Sequence, residues 1–548
     1  MRAWLRWWVL VLLVAAGCAS KAPPAPVLGG TPRLVAVIIV DGLPERQVVD
    51  YRDQLSPDGL ERFFTRGAWF TAAHYGYSHT VTGPGHATIL TGAYPHRTGI
   101  ISNDWIDPAT GELEYCAADP AATYIGRKSS RLDGTSPKNL RVESLGDVLK
   151  RLDARSRVIA ISGKDRGAIL PAGKSGVAYM YQSQTGEFVS TTYYMKEHPR
   201  WVTEFNAAHP ADKYFGVEWK PLLDDAAYSR SLPDERKWYA RGGKLPKKMG
   251  EGQDKPGPVY YAELLPSPFS DDLTLAFARA AIEGEKLGRG AAPDLLIVSL
   301  SAHDYINHAW GAESRLSQDH VLQLDRLLAE FLGDLDQAMG RENYVAILTA
   351  DHGFMPAPEY SQSLGRDAGR VIAAQLSARV NAGLAKGFGE GAWLGPWSAQ
   401  GVILNHPMIK ARGVDDAALT EAARKLLMAE PGIAVAYTHA ELETASRKGA
   451  PLFDAMEKSF DKDRSADIVV SLKPYWMFGA PPGTTHGSPY DYDTNVPLLF
   501  YGPPWIVPGR IDTRVEVADI APTLARILRV PAPAASEGKL LPLELTSQ

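Results

Sequence analysis

The sequence predicts an α/β protein: a doubly wound, mostly parallel central sheet with helices on both faces and inserted cap segments. Three observations predict it. Continuous runs rich in Val, Ile and Leu recur at residues 33–40, 157–162, 294–300 and 344–349, the pattern of strands buried on both faces. Segments with helical spacing lie between them, so strand and helix alternate. Each run also leads into residues that carry chemistry: Asp41, Lys164 with Arg166, Asp304 with His308, and Asp351 with His352. Open parallel sheets gather ligands at the carboxyl ends of their strands.

The chain of 548 residues is 45% hydrophobic and 22% charged, ordinary for a globular protein with a sizeable core. A formal net charge of -5 argues against a general nucleic-acid binder. Fifty Gly and 40 Pro predict many loops, as in an enzyme with insertions. Arg2 and Arg6 precede an apolar run from Trp7 to Ala16, then Gly17 and Cys18, so residues 1–17 read as an export signal. Cys18 after Ala15-Ala16-Gly17 also matches a bacterial lipidation site, with Ala15 where leucine is more usual. Residues 18–32, rich in Ala, Pro and Gly, then form a tether to a membrane, and the protein faces the periplasm. The two cysteines are Cys18 and Cys116; with Cys18 lipidated no intrachain disulfide forms, and Cys116 reads as a packed thiol.

Taken in order, the strand at 33–40 ends in Asp41-Gly42. Thr82-Gly83-Pro84-Gly85-His86 reads as a helix start, with Thr82 as N-cap and Pro84 in the first turn, running to Gly92. Residues 99–105 are a loop or short strand, and 145–152 a helix. Residues 168–265 change texture, with many Tyr, Trp, Pro and Lys, and read as an inserted cap outside the sheet. Ser270 caps a helix with Asp271 and Asp272 in its first turn. A long amphipathic helix at 315–338 carries Leu324, Leu327, Leu328, Phe331 and Leu335 on one face. A second insertion, 356–465, holds one clear helix at 415–430, stopped by Pro431-Gly432. Strand texture resumes at 467–471; a loop at 484–487, a strand at 496–501 and a helix at 517–528 close the chain.

Asp and His with no thiolate among them suit zinc or a similar divalent ion in a catalytic site. Asp304 and His308 are four apart, on one side of a helical turn. Singly, each motif also reads as an ordinary turn or strand exit; the repeated strand-end placement is what joins them. His86 and His303 admit either reading, and the histidines without that placement, His79 among them, read as structural or surface residues.

The ordered set Asp41-Gly42, Thr82-Gly83-Pro84-Gly85-His86, Asn103, Lys164-Asp165-Arg166-Gly167, Asp304 with His308, Asp351-His352-Gly353 and His486-Gly487 resembles the alkaline phosphatase superfamily. Within it, the match is to the bacterial phosphate-irrepressible type with a threonine nucleophile, and residues 33–545 would form its catalytic domain. Ala518-Asp519-Ile520-Ala521-Pro522-Thr523 adds to the resemblance. The resemblance implies two zinc ions, one held by Asp304, His308 and His486, the other by Asp41, Asp351, His352 and the Thr82 oxygen. It implies Thr82 as nucleophile through a phosphothreonine, with Asn103, Lys164 and Arg166 on the phosphoryl oxygens and small phosphate monoesters as substrates.

Threonine-type phosphodiesterases on the same scaffold resemble this chain too, but lack the Lys/Arg pair, so its presence points to monoesters. A sulfatase is disfavoured, because Thr82 stands where that group needs an oxidisable Cys or Ser. A lipoprotein that binds phosphorylated ligands without turnover would have no need of a threonine at that position.

Overall fold

A computed structural model describes residues 30–546. The expected export signal and Cys18 lie outside the described residues. Ten strands form the central sheet. In chain order the elements that position the site are β1 (Leu34–Val40), β2 (Ala68–His74), α1 (Thr82–Thr91), α2 (Leu145–Leu152), β3 (Val158–Ser162), α3 (Asp165–Ala172), β4 (Val177–Gln182), β5 (Glu187–Val189), α4 (Pro268–Glu285), β6 (Asp294–Leu300), α5 (Ala302–Trp310), α6 (Arg315–Met339), β7 (Tyr344–Thr349), β8 (Asn495–Tyr501), β9 (Gly509–Ile511) and β10 (Val515–Glu516). The spatial order is β9-β2-β8-β7-β1-β6-β3-β4-β5, with β10 beside β2.

The core of the sheet is parallel: β1 pairs with β6 and β7, β6 with β3, and β3 with β4. Strand β8 runs antiparallel to both β7 and β2. Every residue of β1, β6 and β7 is buried, so both faces of the sheet are covered at its centre. Register decides the site. Val40 lies opposite Leu300, and Ile39 opposite Thr349, so β1, β6 and β7 finish level with one another. Ser162 at the end of β3 pairs with Ser299. The residues after these four ends therefore share one edge of the sheet.

Two expected boundaries are corrected. Strands β4 and β5, within the range 168–265 expected to be cap, belong to the central sheet. Aromatic residues such as Tyr179 and Tyr181 gave that segment its different texture, yet they are good strand formers and are buried here. The segment 467–471, expected to rejoin the core, instead forms Ile468–Leu472 of a separate four-stranded sheet. That antiparallel sheet belongs to the second insertion, which also holds helices Ala373–Phe388 and Asp416–Met428. Leu376, Val380 and Leu384 at four-residue spacing pack with Leu419, Ala423 and Leu427 as a hydrophobic core of its own.

Two helix starts differ from expectation, one by a single residue and one by three, for a physical reason in each case. A capping residue needs an extended backbone, and in α1 Val81 supplies it at φ -126° and ψ 165°. Thr82 is the first helical residue, so its hydroxyl is not spent on a cap. Helix α4 begins at Pro268 behind Ser267. The fixed φ of proline suits the first helical position, and Ser270 Oγ turns back to the carbonyls of Leu265 and Ser267.

Candidate active site and metal-binding cluster

The conformation of Asp41-Gly42 starts the site. Gly42 takes φ 72°, a conformation that disfavours a side chain, and its N–H donates to Asp351 Oδ1 at 3.0 Å. The ends of β1 and β7 are thereby locked together. Helix α1 packs onto the same point. A Cβ on Gly85 would sit 2.1 Å from the carbonyl oxygen of Asp351, so only glycine lets the first turn of α1 approach the strand end this closely. Pro84 lacks an N–H in the turn where helix N–H groups find no intrahelical partner. These two constraints account for the Pro84-Gly85 pair in the motif.

The expected ligand residues converge. One donor atom each from Asp304, His308 and His486 lie within 4.8 Å of one another. The same holds for Asp41, Asp304 and His352, and for Asp41, His86 and Asp351. Asp304 Oδ1 is 3.3 Å from His308 Nε2 and 3.5 Å from His486 Nε2. His352 Nε2 is 3.5 Å from both Asp41 Oδ1 and Asp351 Oδ2. The rings of His352 and His486 stack, with centroids 3.5 Å apart.

Each of these three histidines is fixed in one tautomer. Nδ1 of His308 donates to the Thr484 carbonyl at 2.8 Å, that of His486 to Thr80 at 2.8 Å, and that of His352 to Gly353 at 2.9 Å. A donor at Nδ1 turns Nε2 toward the carboxylates, the orientation that metal-ligating histidines require. Asp41 Oδ1, Asp304 Oδ1, Asp351 Oδ2 and His352 Nε2 are buried without hydrogen-bond partners. Buried carboxylate oxygens left unpaired are costly unless a cation joins them. The donor set, all oxygen and imidazole nitrogen, therefore fits divalent cations.

His86 enters one cluster at 3.1 Å from Asp351 Oδ2. Its Nδ1 also donates to the Thr82 carbonyl at 2.9 Å, and its Nε2 meets Ser299 Oγ at 2.8 Å. With both nitrogens engaged, His86 is a brace between α1, β6 and the end of β7. His303 likewise bridges Gln47 at 2.8 Å and His320 at 3.0 Å beneath α5.

Lys164 sits differently from the expectation of a purely phosphoryl-binding residue. Its Nζ lies 2.8 Å from Asp41 Oδ2, bonds Asp304 Oδ2, and stands 4.9 Å above the Tyr305 ring. Burial opposes the charge on all three ionised groups, yet the Lys164 ammonium holds Asp41, and His308 together with Lys164 holds Asp304, well below the usual carboxylate range, and the two carboxylates in turn raise Lys164. Burial also resists charge on His352, but Asp351 and Asp41 lift it to about 9, which marks a strongly negative pocket. His486 is pushed well below its ordinary value by burial and by His352, and is neutral.

Thr82, Asn103 and Arg166 meet beside this cluster. Arg166 Nη2 is 3.4 Å from Thr82 Oγ1. Asn103 Oδ1 accepts the Gly83 N–H at 2.7 Å, so its amide nitrogen is the group left to donate. Arg166 Nη1 is steadied by the Tyr115 hydroxyl at 3.3 Å, and that hydroxyl bonds Asp165. Cys116 is buried nearby, its thiol pushed up by burial, as expected of a packed cysteine. Two supports carried no signal in the sequence. Tyr305 follows Asp304 directly, and Asp493 accepts bonds from Gly487 N, Ser488 N and Ser488 Oγ at 3.1, 2.8 and 2.6 Å, holding the turn after His486.

Two cavities flank the centre. One of about 400 Å³ joins Asn103 and His486 to Trp397, Trp476, Met477 and Phe478 of the second insertion. The other, of about 380 Å³, is polar and joins Lys164 and Arg166 to Tyr124, Arg127 and Gln182.

Residues 35–494 match the family model described as type I phosphodiesterase / nucleotide pyrophosphatase. A Myroides odoratus protein named calcium-transporting ATPase is 34% identical over 516 residues, covering 92% of both chains. Alkaline phosphatase PafA of Elizabethkingia meningoseptica is 31% identical over 544 residues, covering 97% of both. The crystal structure of PafA superposes with a TM-score of 0.86 at 29% identity, covering 94% of this chain and 99% of that one. The order of the site motifs, the strand-end geometry and these full-length matches agree, and the chain belongs to the type I phosphodiesterase / nucleotide pyrophosphatase family of the alkaline phosphatase superfamily.

Proposed function

We propose that this protein hydrolyses phosphate monoesters through a covalent phosphothreonine at Thr82, with two zinc ions as cofactors. The observation that carries the reading is the place of Thr82. Its hydroxyl is free of capping duty, lies within reach of Arg166, and belongs to a helix turn pressed against Asp351. Asp304, His308 and His486 would hold one ion, and Asp41, Asp351 and His352 the other beside the Thr82 oxygen. Bound divalent ions supply a lowered hydroxyl pKa and stabilisation of the departing oxygen.

The chain's own residues account for the rest. Thr82 Oγ1 forms the bond to phosphorus as the ester oxygen departs in line, leaving as the alcohol once protonated. Water then breaks the phosphothreonine from the vacated side, restoring the hydroxyl and releasing phosphate; two inversions give net retention. Arg166 and the Asn103 amide face the attacked group, where charge spreads over the non-bridging oxygens. Lys164 balances Asp41 and Asp304.

Charge favours a monoester. Asp41, Asp304 and Asp351 with Lys164 leave the buried cluster at about -2, and two divalent cations would reverse this to about +2. Arg166 beside Thr82 adds further positive charge, and a monoester dianion offsets more of it than a diester monoanion does. The relatives named alkaline phosphatase support the same reading. The Myroides relative's name fits as well, because a terminal phosphoanhydride offers the same dianionic group to attack.

The test compares p-nitrophenyl phosphate with bis-p-nitrophenyl phosphate on zinc-loaded protein. The monoester should win by orders of magnitude. Arg166→Ala should cut monoester kcat/KM by about ten- to a thousandfold and diester turnover by less. A diester preference, or equal losses on both substrates, contradicts the reading.

We also propose export to the periplasm and anchoring through a lipid on Cys18, supported by Arg2, Arg6, the apolar run to Ala16 and the small residues before Cys18. Cells fed labelled palmitate should label the wild-type protein and not Cys18→Ala; label on both, or on neither, contradicts anchoring at this residue.

A further inference from the structure

The polar cavity beside Arg166 contains a cation that the hydrolytic centre does not use. Arg127, Tyr124 and Gln182 line it together with Lys164 and Arg166. Lys164 is held by Asp41 and Asp304, and Arg166 reaches Thr82 and Tyr115. Arg127, by contrast, has no carboxylate partner among the described residues. Its guanidinium lies 4.5 Å above the Tyr124 ring, and its Nη2 donates to Gln182 Oε1. Its Nε is buried without a hydrogen-bond partner.

The two carboxylates of the cavity are already committed. Asp133 accepts from Ser130 N at 2.9 Å and Ser130 Oγ at 2.8 Å. Asp165 accepts from Gly134 N at 2.9 Å and from the Tyr115 and Tyr124 hydroxyls. Neither forms an ion pair with Arg127. A guanidinium clamped by an aromatic face and an amide oxygen has lost its rotamer freedom in advance, so binding an anion costs little further ordering. Its planar fork matches phosphate oxygens in a way an ammonium does not.

We propose that this cavity is a second anion subsite, in which Arg127, oriented by Tyr124 and Gln182, binds a second phosphate group carried by the same substrate. The preferred substrates are then compounds with two phosphoryl groups, one placed at Thr82 and the other at Arg127. This rests on the phosphomonoesterase reading above, and two measurements keep the two apart.

The first is calorimetric binding of methylenediphosphonate and of orthophosphate to the zinc-loaded protein, which needs no turnover. The diphosphonate should bind the wild type more tightly, and Arg127→Gln should erase about ten- to hundredfold of that advantage, the value of one charge-assisted contact pair. Arg127→Lys should keep part of it. The second is the ratio of kcat/KM for a sugar bisphosphate to that for p-nitrophenyl phosphate, which should fall by the same factor in Arg127→Gln. An unchanged diphosphonate advantage in Arg127→Gln, with melting temperature preserved, overturns the subsite. So does an equal loss on both substrates, which would mark Arg127 as structural. Failure of the wild type to hydrolyse p-nitrophenyl phosphate overturns the phosphomonoesterase reading instead, and the binding comparison still decides the subsite.

Discussion

Thr82→Ala should lose at least about a thousandfold in turnover of p-nitrophenyl phosphate, because it removes the atom that forms the covalent bond. Stability should hardly change. The hydroxyl makes no capping bond, and its hydrogen bond among the described residues is the long one of 3.4 Å to Arg166, so its loss is worth about 1 kcal/mol or less. Asp41, Asp351 and His352 keep their mutual geometry through Gly42, Gly85 and the Gly353 carbonyl, none of which depends on the threonine side chain. Metal content measured by mass spectrometry should therefore stay near wild type. Turnover within tenfold of wild type would remove Thr82 from the chemistry, and loss of metal together with activity would make it a structural ligand rather than a nucleophile.

Asp304→Asn should be the more damaging change overall. Asp304 contributes to two of the three donor clusters, and its Oδ2 bonds Lys164. Amidation removes one of the anionic groups that face the same buried space and leaves Lys164 with Asp41 alone. Bound metal should fall below wild-type stoichiometry, and kcat/KM by about a thousandfold or more. Heat denaturation gives an independent reading. Ligands that bind the folded state add stability by mass action, about 2.7 kcal/mol at a hundred times Kd, so a chelator should lower the melting temperature of the wild type. In Asp304→Asn the chelator should lower it less. Full metal content and an undiminished chelator effect in the variant would contradict the role given to Asp304.

The parts of this site that were legible in the sequence were those set by local pattern. Continuous apolar runs announced β1, β6 and β7, and their C-terminal ends announced Asp41, Asp304 and Asp351, because a parallel sheet must finish its central strands together. What was not legible depends on partners far apart in the chain. Nothing within 157–167 reveals that Lys164 lies between two carboxylates, one of them 140 residues away. Asp493 looks like any acidic loop residue until it is seen to hold the His486 turn. The same applies to β4 and β5, whose aromatic composition resembled an insertion and whose membership in the sheet follows from the pairing of β4 with β3 and of β5 with β4. Thr82 illustrates a subtler limit. Ser and Thr before a helix usually cap it, and only the backbone angles of Val81 show that here the cap lies one residue earlier and leaves the hydroxyl free.

One measurement tests the central claim most directly: mixing zinc-loaded protein with excess p-nitrophenyl phosphate at low pH, quenching in acid, and locating the added phosphate by peptide mass spectrometry. Phosphorylation at Thr82, absent in Thr82→Ala, is the predicted result. Active protein that carries no phosphate at Thr82 under any quench condition, or carries it on another residue, would contradict the account.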